Sequence, residues 1–357
     1  MDNNYVSVLP EKDSGNPRNP HDIVRRENDF YIFPFSEDGD NNYKFHMNVK
    51  VVNESQKTIP TNFTVNWGDT MYQADRDYLL LCTDDDNWRS FVAKIDGPLS
   101  MAEVDVPPGI SYLTLHPRYE HARVNRLVGT LPKDIFDVEV IGTTRMMRDI
   151  LAIEVGNKDL QPIAFYSRVH PYETIGSYFI EGMLNWLKGL DSEVTKFIAN
   201  NHIIFIPMPN VDGVADGTNK LTHGGLNFSY NFKNSVEPEA IALKEYFFKK
   251  KPAVIFDLHG WNNPRDNMVT NDTIRGRIIY AAILKEEKLF NIPVEILYRG
   301  NPSSGAQHSC GYFADTLGIS FINSSWVHVG RNSENLYSMG VFLLKAIAEA
   351  DYNARKL

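Results

Sequence analysis

Two short motifs in this chain carry side chains that could bind a metal ion. His170 and Glu173 stand three residues apart in the sequence Arg-Val-His-Pro-Tyr-Glu, and His259 follows later in Asp-Leu-His-Gly. Two ligands at that spacing can reach one ion from a single turn, while a distant histidine supplies the third protein ligand and leaves a fourth position for water. This set is typical of a catalytic zinc site rather than a structural one. The spacing predicts one Zn²⁺ bound by His170, Glu173 and His259.

The strands predicted before each motif place these side chains at one edge of a sheet. Apolar runs at 163–166 and 254–256 end shortly before the two motifs, and a third run at 203–206 leads into the turn-like sequence at 210–213. Ligands of open α/β sheets bind beyond the carboxyl ends of the strands. A His-x-x-Glu spacing also arises by chance among the ten histidines of the chain. The strand context favours the metal site over that alternative.

Composition limits the classes of protein to which the chain can belong. Its 357 residues, 43% hydrophobic and 23% charged, are typical of a globular protein with two domains. The formal net charge of -9 disfavours a nucleic-acid or anionic membrane partner, because either would need a basic face. The sequence shows no signal peptide and no apolar run of membrane-spanning length, so we expect a cytoplasmic location.

The pattern of apolar residues changes along the chain and predicts three segments. Residues 1–28 are polar and contain several prolines, so we expect an N-terminal arm. From 29 to 128, short runs such as 43–49 and 78–82 alternate with turn-forming residues, which predicts a small β-sandwich. From 129 to 357, strands alternate with helices, which predicts an α/β domain with a sheet covered by helices.

Three helices are predicted in the α/β segment. Apolar residues recur at helical spacing from about Glu173 until Gly189, which is expected to end the first helix. Two more helices are predicted at about 237–250 and 334–350. The apolar residues of the first helix are expected to lie in the core.

The motifs occur in the order found in the zinc carboxypeptidases. They are Arg-Val-His-Pro-Tyr-Glu at 168–173, Pro-Asn-Val-Asp-Gly at 209–213, the segment 217–232 and Asp-Leu-His-Gly at 257–260. Over residues 125–350 the chain resembles this family, in particular the branch called cytosolic carboxypeptidases. The resemblance implies an α/β/α sandwich around a mixed sheet, preceded by a β-domain. It also implies the same three zinc ligands and a hydrolase in which a zinc-activated water cleaves an amide bond.

The residues expected to recognise the substrate depart from the family pattern. An ungapped comparison puts Lys220 at the family's oxyanion arginine and puts Ser229 and Tyr230 at its Asn-Arg pair. A guanidinium binds a carboxylate through two hydrogen bonds, which neither a hydroxyl nor a phenol can reproduce. We therefore expect a peptide-like or acylated small-molecule substrate with an amide or ester bond and without the usual recognition of a free C-terminus. A solvated loop lysine is an equal alternative for Lys220.

Further side chains are expected beside the metal. Arg168 is similar to a family arginine that contacts substrate, with an ion pair in its own loop as the alternative. Asn210, in the motif after the third strand, is expected to contact substrate, and Trp261 follows the third ligand, where it could form a wall of the site or be buried. Asn227 stands where the family has an aspartate that orients the first zinc histidine, and an amide can accept the same hydrogen bond.

The family's general-base glutamate has no counterpart in this sequence. By the resemblance it would lie within 318–326, where no acidic residue occurs. Glu334 is the nearest carboxylate downstream and is our catalytic candidate beside Lys220, although a place in the first turn of the last helix is its more ordinary role. Weaker alternatives are Asp266, Asp315, His308 and His328. A zinc-binding homologue that has lost hydrolysis and serves recognition or regulation is therefore the second functional hypothesis.

Overall fold

The protein combines two facing β-sheets with one long mixed sheet that is covered by helices. The computed structural model describes residues 5–27, 29–37, 44–68, 76–84, 86–260, 266–285, 297–298 and 308–356. Within these ranges, none of the helices has both the length and the apolar character needed to cross a bilayer.

The N-terminal sheets each contain five strands in the part of the chain that the structure describes. The first has the order β1-β4-β10-β6-β7 and the second the order β2-β3-β5-β9-β8. Neighbouring strands are antiparallel except for β3 and β5, which are parallel. The strands are β1 (Val6–Pro10), β2 (Ile23–Arg26), β3 (Asp29–Ile32), β4 (Asn48–Asn53), β5 (Ile59–Asn66), β6 (Tyr78–Cys82), β7 (Trp88–Val92), β8 (Lys94–Asp96), β9 (Leu99–Val106) and β10 (Gly109–Thr114); a 3₁₀ helix spans Pro20–Asp22.

One hydrophobic core lies between these two sheets. Val49 and Val51 of β4 contribute from one sheet, and Phe63 and Val65 of β5 contribute from the other. All four side chains are at most 1% exposed. The predicted β-sandwich is confirmed, although only the end of the run predicted at 43–49 lies in a strand.

The sandwich includes residues that the sequence pattern assigned to a polar arm. Residues 6–10 form β1, which pairs with β4, and residues 23–26 form β2, which pairs with β3. Val6 and Val8 alternate along β1 and both lie in the core, because successive side chains of a strand point to opposite faces. The backbone pairing with β4 and the burial of these two valines hold this polar segment in the sheet.

The rest of the described chain forms an eight-stranded sheet with helices. The strand order is β11-β12-β14-β13-β15-β18-β16-β17. The strands are β11 (Phe136–Thr143), β12 (Asp149–Gly156), β13 (Ile163–Ser167), β14 (His202–Ile206), β15 (Val254–Gly260), β16 (Asn267–Asn271), β17 (Leu297–Tyr298) and β18 (Ser320–Trp326). The helices are α1 (His121–Gly129), α2 (Ile175–Leu187), α3 (Ser192–Asn200), α4 (Val211–Ala215), α5 (Pro238–Lys250), α6 (Ile274–Leu284), α7 (Ser309–Leu317) and α8 (Ser333–Ala354).

Helices cover both faces of this sheet. On one face, Phe247 of α5 packs against Tyr166 of β13, and on the other, Phe179 of α2 packs against Trp326 of β18. The central strands β14, β13, β15 and β18 are parallel. The pairs β11–β12, β12–β14 and β16–β18 are antiparallel. The predicted α/β/α sandwich around a mixed sheet is confirmed, as are the three predicted helices, which correspond to α2, α5 and α8.

The carboxyl ends of the parallel strands position the candidate site. Strand β15 is longer than predicted and contains His259, because β18 pairs with it from Val254 to Gly260. Asp257 and His259 are two residues apart on this strand and therefore point to the same face. Strand β13 ends at Ser167, shortly before His170. The two ligand motifs therefore meet at one edge of the sheet, as the sequence predicted.

Candidate metal centre

Three buried side chains converge at this edge of the sheet. The ligand atoms of His170, Glu173 and His259 all lie within 4.8 Å of one another. Nδ1 of His170 is 3.0 Å from Oε1 of Glu173, and Nδ1 of His259 is 2.6 Å from Oε2 of the same carboxylate. The three residues are 5%, 3% and 5% exposed. Two imidazole nitrogens and one carboxylate facing a common point form the donor set of a catalytic zinc site.

The electrostatics of this cluster fit a cation. Burial disfavours ionisation of Glu173, but the positive charge and hydrogen bonds of His170 and His259 outweigh it and hold the pKa of the carboxyl group well below its usual value. Burial also disfavours a charged His259, yet Asp257 and Glu173 raise the pKa of its imidazole well above the usual value. Two carboxylates therefore favour positive charge within the cluster. The donors and the local charge both suit Zn²⁺.

A close backbone approach brings the third ligand to the other two. A Cβ atom on Gly260 would lie 2.9 Å from Cα of Glu173. Real side chains do not tolerate this distance, so only glycine lets the end of β15 approach the loop after β13 so closely. Gly260 thus determines the separation of His259 from Glu173.

Arg168 holds the ligand loop from inside the protein. It is 1% exposed and has a φ of 59°, a left-handed conformation that is uncommon for residues other than glycine. Its guanidinium donates to the carbonyl oxygens of Pro171 and Tyr119 and to the hydroxyl of Ser177. Burial lowers the pKa of Arg168 to about 10. The guanidinium therefore points into the loop and away from solvent, and its contacts are with the protein's own backbone and Ser177.

Asn210 supports the same loop. Its side chain is fully buried, donates to the carbonyl oxygen of Val169 at 3.0 Å and accepts from the backbone N–H of Gly213 at 3.1 Å. The second contact caps the N-terminus of α4. Asn210 therefore links α4 to the loop that carries His170.

Two side chains from the segment 217–232 lie beside Nε2 of His170. The Oδ1 atom of Asn227 is 3.3 Å from Nε2, and the hydroxyl oxygen of Ser229 is 3.0 Å from it. A second partner on the ring fixes the orientation of a ligating histidine. The structure thus supports the expected role of Asn227. It also directs the hydroxyl of Ser229 toward His170.

A cluster of polar side chains lies on the Nε2 side of the His259 ring. Oδ1 of Asp257 lies 3.1 Å from Nε2 of His259, and Oδ2 accepts a hydrogen bond from the hydroxyl of Tyr166 at 2.9 Å. The hydroxyl of Ser309 is 2.9 Å from the same Tyr166 hydroxyl. Asp257 is the first residue of the Asp-Leu-His-Gly motif, but the motif alone does not predict its contact with His259. Its spacing from His259 along a strand was the available signal.

The start of α7 contacts both the segment 217–232 and strand β15, which carries His259. The backbone N–H of Ser309 donates to the carbonyl oxygen of Phe228, and its side chain lies 3.5 Å from Oδ2 of Asp257. His308 precedes it and is half-buried. Burial lowers the pKa of His308, while the charges of Asp257, His259 and His170 also act on it. His308 therefore lies one residue before the contact between Ser309 and Asp257.

The other catalytic candidates lie elsewhere. Glu334 is exposed in the first turn of α8, its ordinary structural role. His328 is 3% exposed, and burial lowers its pKa to about 3. Asp266 is buried and accepts from the backbone N–H of Val327. Asp315 is exposed on α7.

The remaining substrate candidates have different environments. Tyr230 is 54% exposed. Lys220 is half-buried, and its ammonium lies 5.6 Å from the ring centre of Phe45 in the β-sandwich. Trp261 lies outside the described residues.

Comparisons with known proteins agree with this geometry. A model of the zinc carboxypeptidase family matches residues 124–227, a stretch that holds His170 and Glu173 and ends before His259. The metallo-carboxypeptidase from Burkholderia cenocepacia superposes with a TM-score of 0.82, at 16% identity over 98% of this chain and 99% of that chain. The metallo-carboxypeptidase from Pseudomonas aeruginosa, solved in complex with (2-guanidinoethylmercapto)succinic acid, gives a TM-score of 0.81 at 16% identity over 96% and 98%.

This chain has the metallo-carboxypeptidase fold. The resemblance to the zinc carboxypeptidases that the motifs indicated is confirmed. The comparisons support a resemblance to the zinc carboxypeptidases in general. They do not single out the cytosolic branch. A search of curated protein sequences finds no match. The β-sandwich belongs to the shared metallo-carboxypeptidase architecture, because both alignments cover nearly the whole of each chain.

Proposed function

We propose that this protein is a zinc-dependent hydrolase that cleaves an amide or ester bond with non-standard substrate recognition. The observation that carries the proposal is the convergence of His170, Glu173 and His259 on one buried point. The metallo-carboxypeptidase fold and the family match over residues 124–227 support it. Fold alone does not determine an activity, so the proposal rests on the donor set.

The chemistry that Zn²⁺ supplies in such a site is polarisation of a carbonyl oxygen and activation of water. His170, Glu173 and His259 would hold the ion. Asn227 and Asp257 orient the two histidine rings from behind, which keeps both Nδ1 atoms directed at the ligand point.

We infer that His308 carries the proton in this reaction. The base must be near the reacting water and unprotonated at neutral pH. His308 lies where α7 docks against the strand of His259, and its neutral ring can accept a proton. Glu334, the other candidate, is exposed in the first turn of α8, the ordinary structural place for such a carboxylate.

The substrate we propose is peptide-like or acylated. Its binding does not depend on recognition of a free α-carboxylate. Ser229 and Tyr230 stand at the family's Asn-Arg pair, and Ser229 is directed at His170. Neither side chain can form the two-pronged contact of a guanidinium with a carboxylate. Lys220 offers a single positive charge, which suits an oxyanion or an isolated anionic group.

A specific observation favours the alternative, a homologue that binds zinc but no longer hydrolyses. No residue of β18 (Ser320–Trp326) carries a carboxylate. Its last residue, Trp326, is fully buried against Phe179 of α2. A protein with this strand and without a substitute base would serve recognition or regulation.

The test is hydrolysis of a mixed panel by zinc-loaded full-length protein. The panel contains peptides, blocked amides, acylated amino acids and esters, and His259→Ala serves as the control without the third ligand. Turnover that disappears in His259→Ala supports the hydrolase. Stoichiometric zinc without turnover of any panel member would favour the recognition protein.

A further inference from the structure

We propose that Glu37 of the β-sandwich is a positioning residue that fixes the backbone of the loop carrying Lys220. This inference rests on the proposed function for its catalytic consequence, but not for its structural part. The carboxylate of Glu37 accepts hydrogen bonds from three consecutive backbone N–H groups, those of Asn219, Lys220 and Leu221. The distances to Lys220 and Leu221 are 2.6 and 3.0 Å.

Successive N–H groups that point at one spot form an anion-binding concavity called a nest. Here the anion is part of the chain, because Oε1 and Oε2 of Glu37 occupy the nest. The side-chain amide of Asn219 adds a further hydrogen bond to Oε2 at 2.8 Å. Hydrogen bonds to a charged acceptor are about twice as strong as neutral ones. Glu37 therefore fixes the backbone on both sides of Lys220.

The same loop is held a second time by the β-sandwich. Asn219 is fully buried, and its Oδ1 accepts from the backbone N–H groups of Phe45 at 2.7 Å and His46 at 2.9 Å. The ring of Phe45 in turn lies 5.6 Å from the ammonium of Lys220. The sandwich thus contacts the loop through its backbone and also faces the lysine side chain.

This loop is joined to the metal-ligand loop. The carbonyl oxygen of Asn219 accepts from the backbone N–H of Tyr172 at 3.4 Å, and Tyr172 precedes the ligand Glu173. The rings of Tyr172 and Phe45 also pack together, with centroids 5.3 Å apart. A continuous set of contacts therefore leads from Glu37 through Asn219 to the residue beside Glu173. Through these contacts, the β-sandwich is connected to the loop that carries Glu173.

Together with the proposed function, this gives the β-sandwich a part in catalysis. Lys220 is the cationic side chain that the sequence places at the oxyanion position, and it lies on a flexible four-carbon stem. Fixing its backbone through the Glu37 carboxylate limits the positions that the ammonium can reach. A preorganised charge stabilises a developing anion without reorganisation during the reaction.

The first experiment measures amide hydrogen exchange in zinc-loaded full-length protein and in Glu37→Gln. We expect exchange at 219–221 to rise about tenfold or more, because the nest loses its charged partner. Exchange at 170–173 and the zinc content should stay unchanged. Glu103→Gln is the matched control, since Glu103 is an exposed glutamate of the same sandwich. Unchanged exchange at 219–221 would overturn the proposal, and this readout requires no turnover.

The second experiment is a double-mutant cycle with Glu37→Gln and Lys220→Ala, in which kcat and KM are measured separately. We expect Glu37→Gln to lower kcat about tenfold and to have less than about a twofold effect once Lys220 is alanine. An equal loss in both backgrounds would show that Glu37 acts independently of Lys220 and would overturn the proposal. Absence of turnover in the wild type contradicts the proposed hydrolase, whereas the exchange experiment still decides the role of Glu37.

Discussion

The guanidinium of Arg168 donates two hydrogen bonds to the carbonyl oxygen of Pro171, from Nε at 3.0 Å and from Nη2 at 2.7 Å. Pro171 lies between the ligands His170 and Glu173, so this contact shapes the turn that presents both of them. The side chain is buried and reaches three partners through a planar fork of nitrogen atoms, a geometry that the compact ammonium group of lysine does not reproduce.

We therefore predict that Arg168→Lys weakens zinc binding while the protein stays folded. Loss of such supporting contacts costs about 10- to 100-fold in metal affinity. Competition with a chelator of known affinity measures the change, and circular dichroism reports the fold. The exposed Arg89 of β7 gives the control Arg89→Lys. Equal zinc affinity in Arg168→Lys and the control would show that the loop keeps its shape without the hydrogen bonds of the guanidinium.

Gly260→Ala is predicted to weaken zinc binding for a different reason. The new Cβ would lie 2.9 Å from Cα of Glu173, so the strand and the ligand loop must separate by some tenths of an ångström. Displacement of His259 from Glu173 should lower zinc affinity by about tenfold or more. The control is Gly129→Ala, where an added Cβ meets nothing within 4 Å. A Gly260→Ala protein with wild-type affinity would contradict this account of the close approach.

Glu239 should make stability depend on pH. It is fully buried in α5, and neither carboxyl oxygen has a hydrogen-bond partner among the described residues. Burial raises its pKa from 4.5 to about 7. Between these values the folded chain binds a proton that the unfolded chain has released, so stability falls as pH rises. The shift corresponds to about 3 kcal/mol of lost stability above pH 7.

Thermal unfolding of wild type and Glu239→Gln between pH 4 and pH 8 tests this expectation. The glutamine cannot ionise, so the variant should lose less stability than the wild type across that interval. Glu245→Gln, an exposed site on the same helix, should leave the pH dependence unchanged. Parallel pH profiles for wild type and Glu239→Gln would exclude Glu239 as the source.

His308→Ala is predicted to lower kcat without loss of zinc. Removing a general acid or base costs about 10²- to 10⁴-fold in rate, whereas His308 is not among the three metal ligands. Steady-state kinetics on a substrate from the panel, together with metal analysis, measures both effects. The exposed loop residue His223 supplies the control His223→Ala. Full turnover in His308→Ala would assign proton transfer to another group.

The metal ligands could be predicted from sequence because local patterns encode them. The spacing of His170 and Glu173 within one turn is visible in the chain, and the apolar runs before them and before His259 predict parallel strands that end at one edge. The fold followed from the same strands and from the alternation of strands with helices. Strand β1 was missed because two valines in a polar, proline-containing segment give a weak signal.

The supporting residues could not be predicted in this way. The sequence does not reveal that the backbone of Arg168 is left-handed, and this conformation turns the guanidinium inward. Nor does it show that Ser229 faces His170, since this depends on the path of a loop without periodicity. Glu37 contacts Asn219 across 182 residues of sequence. Such contacts arise from tertiary packing and leave no local pattern.

The most direct test of the central claim is the metal content of full-length protein purified without chelator. Elemental analysis should find one zinc per chain in the wild type and its loss in His170→Ala and His259→Ala. The exposed His21 provides the control His21→Ala, which should retain the metal. A folded wild type without zinc, or equal zinc in all four proteins, would contradict the assignment of His170, Glu173 and His259 as a zinc site.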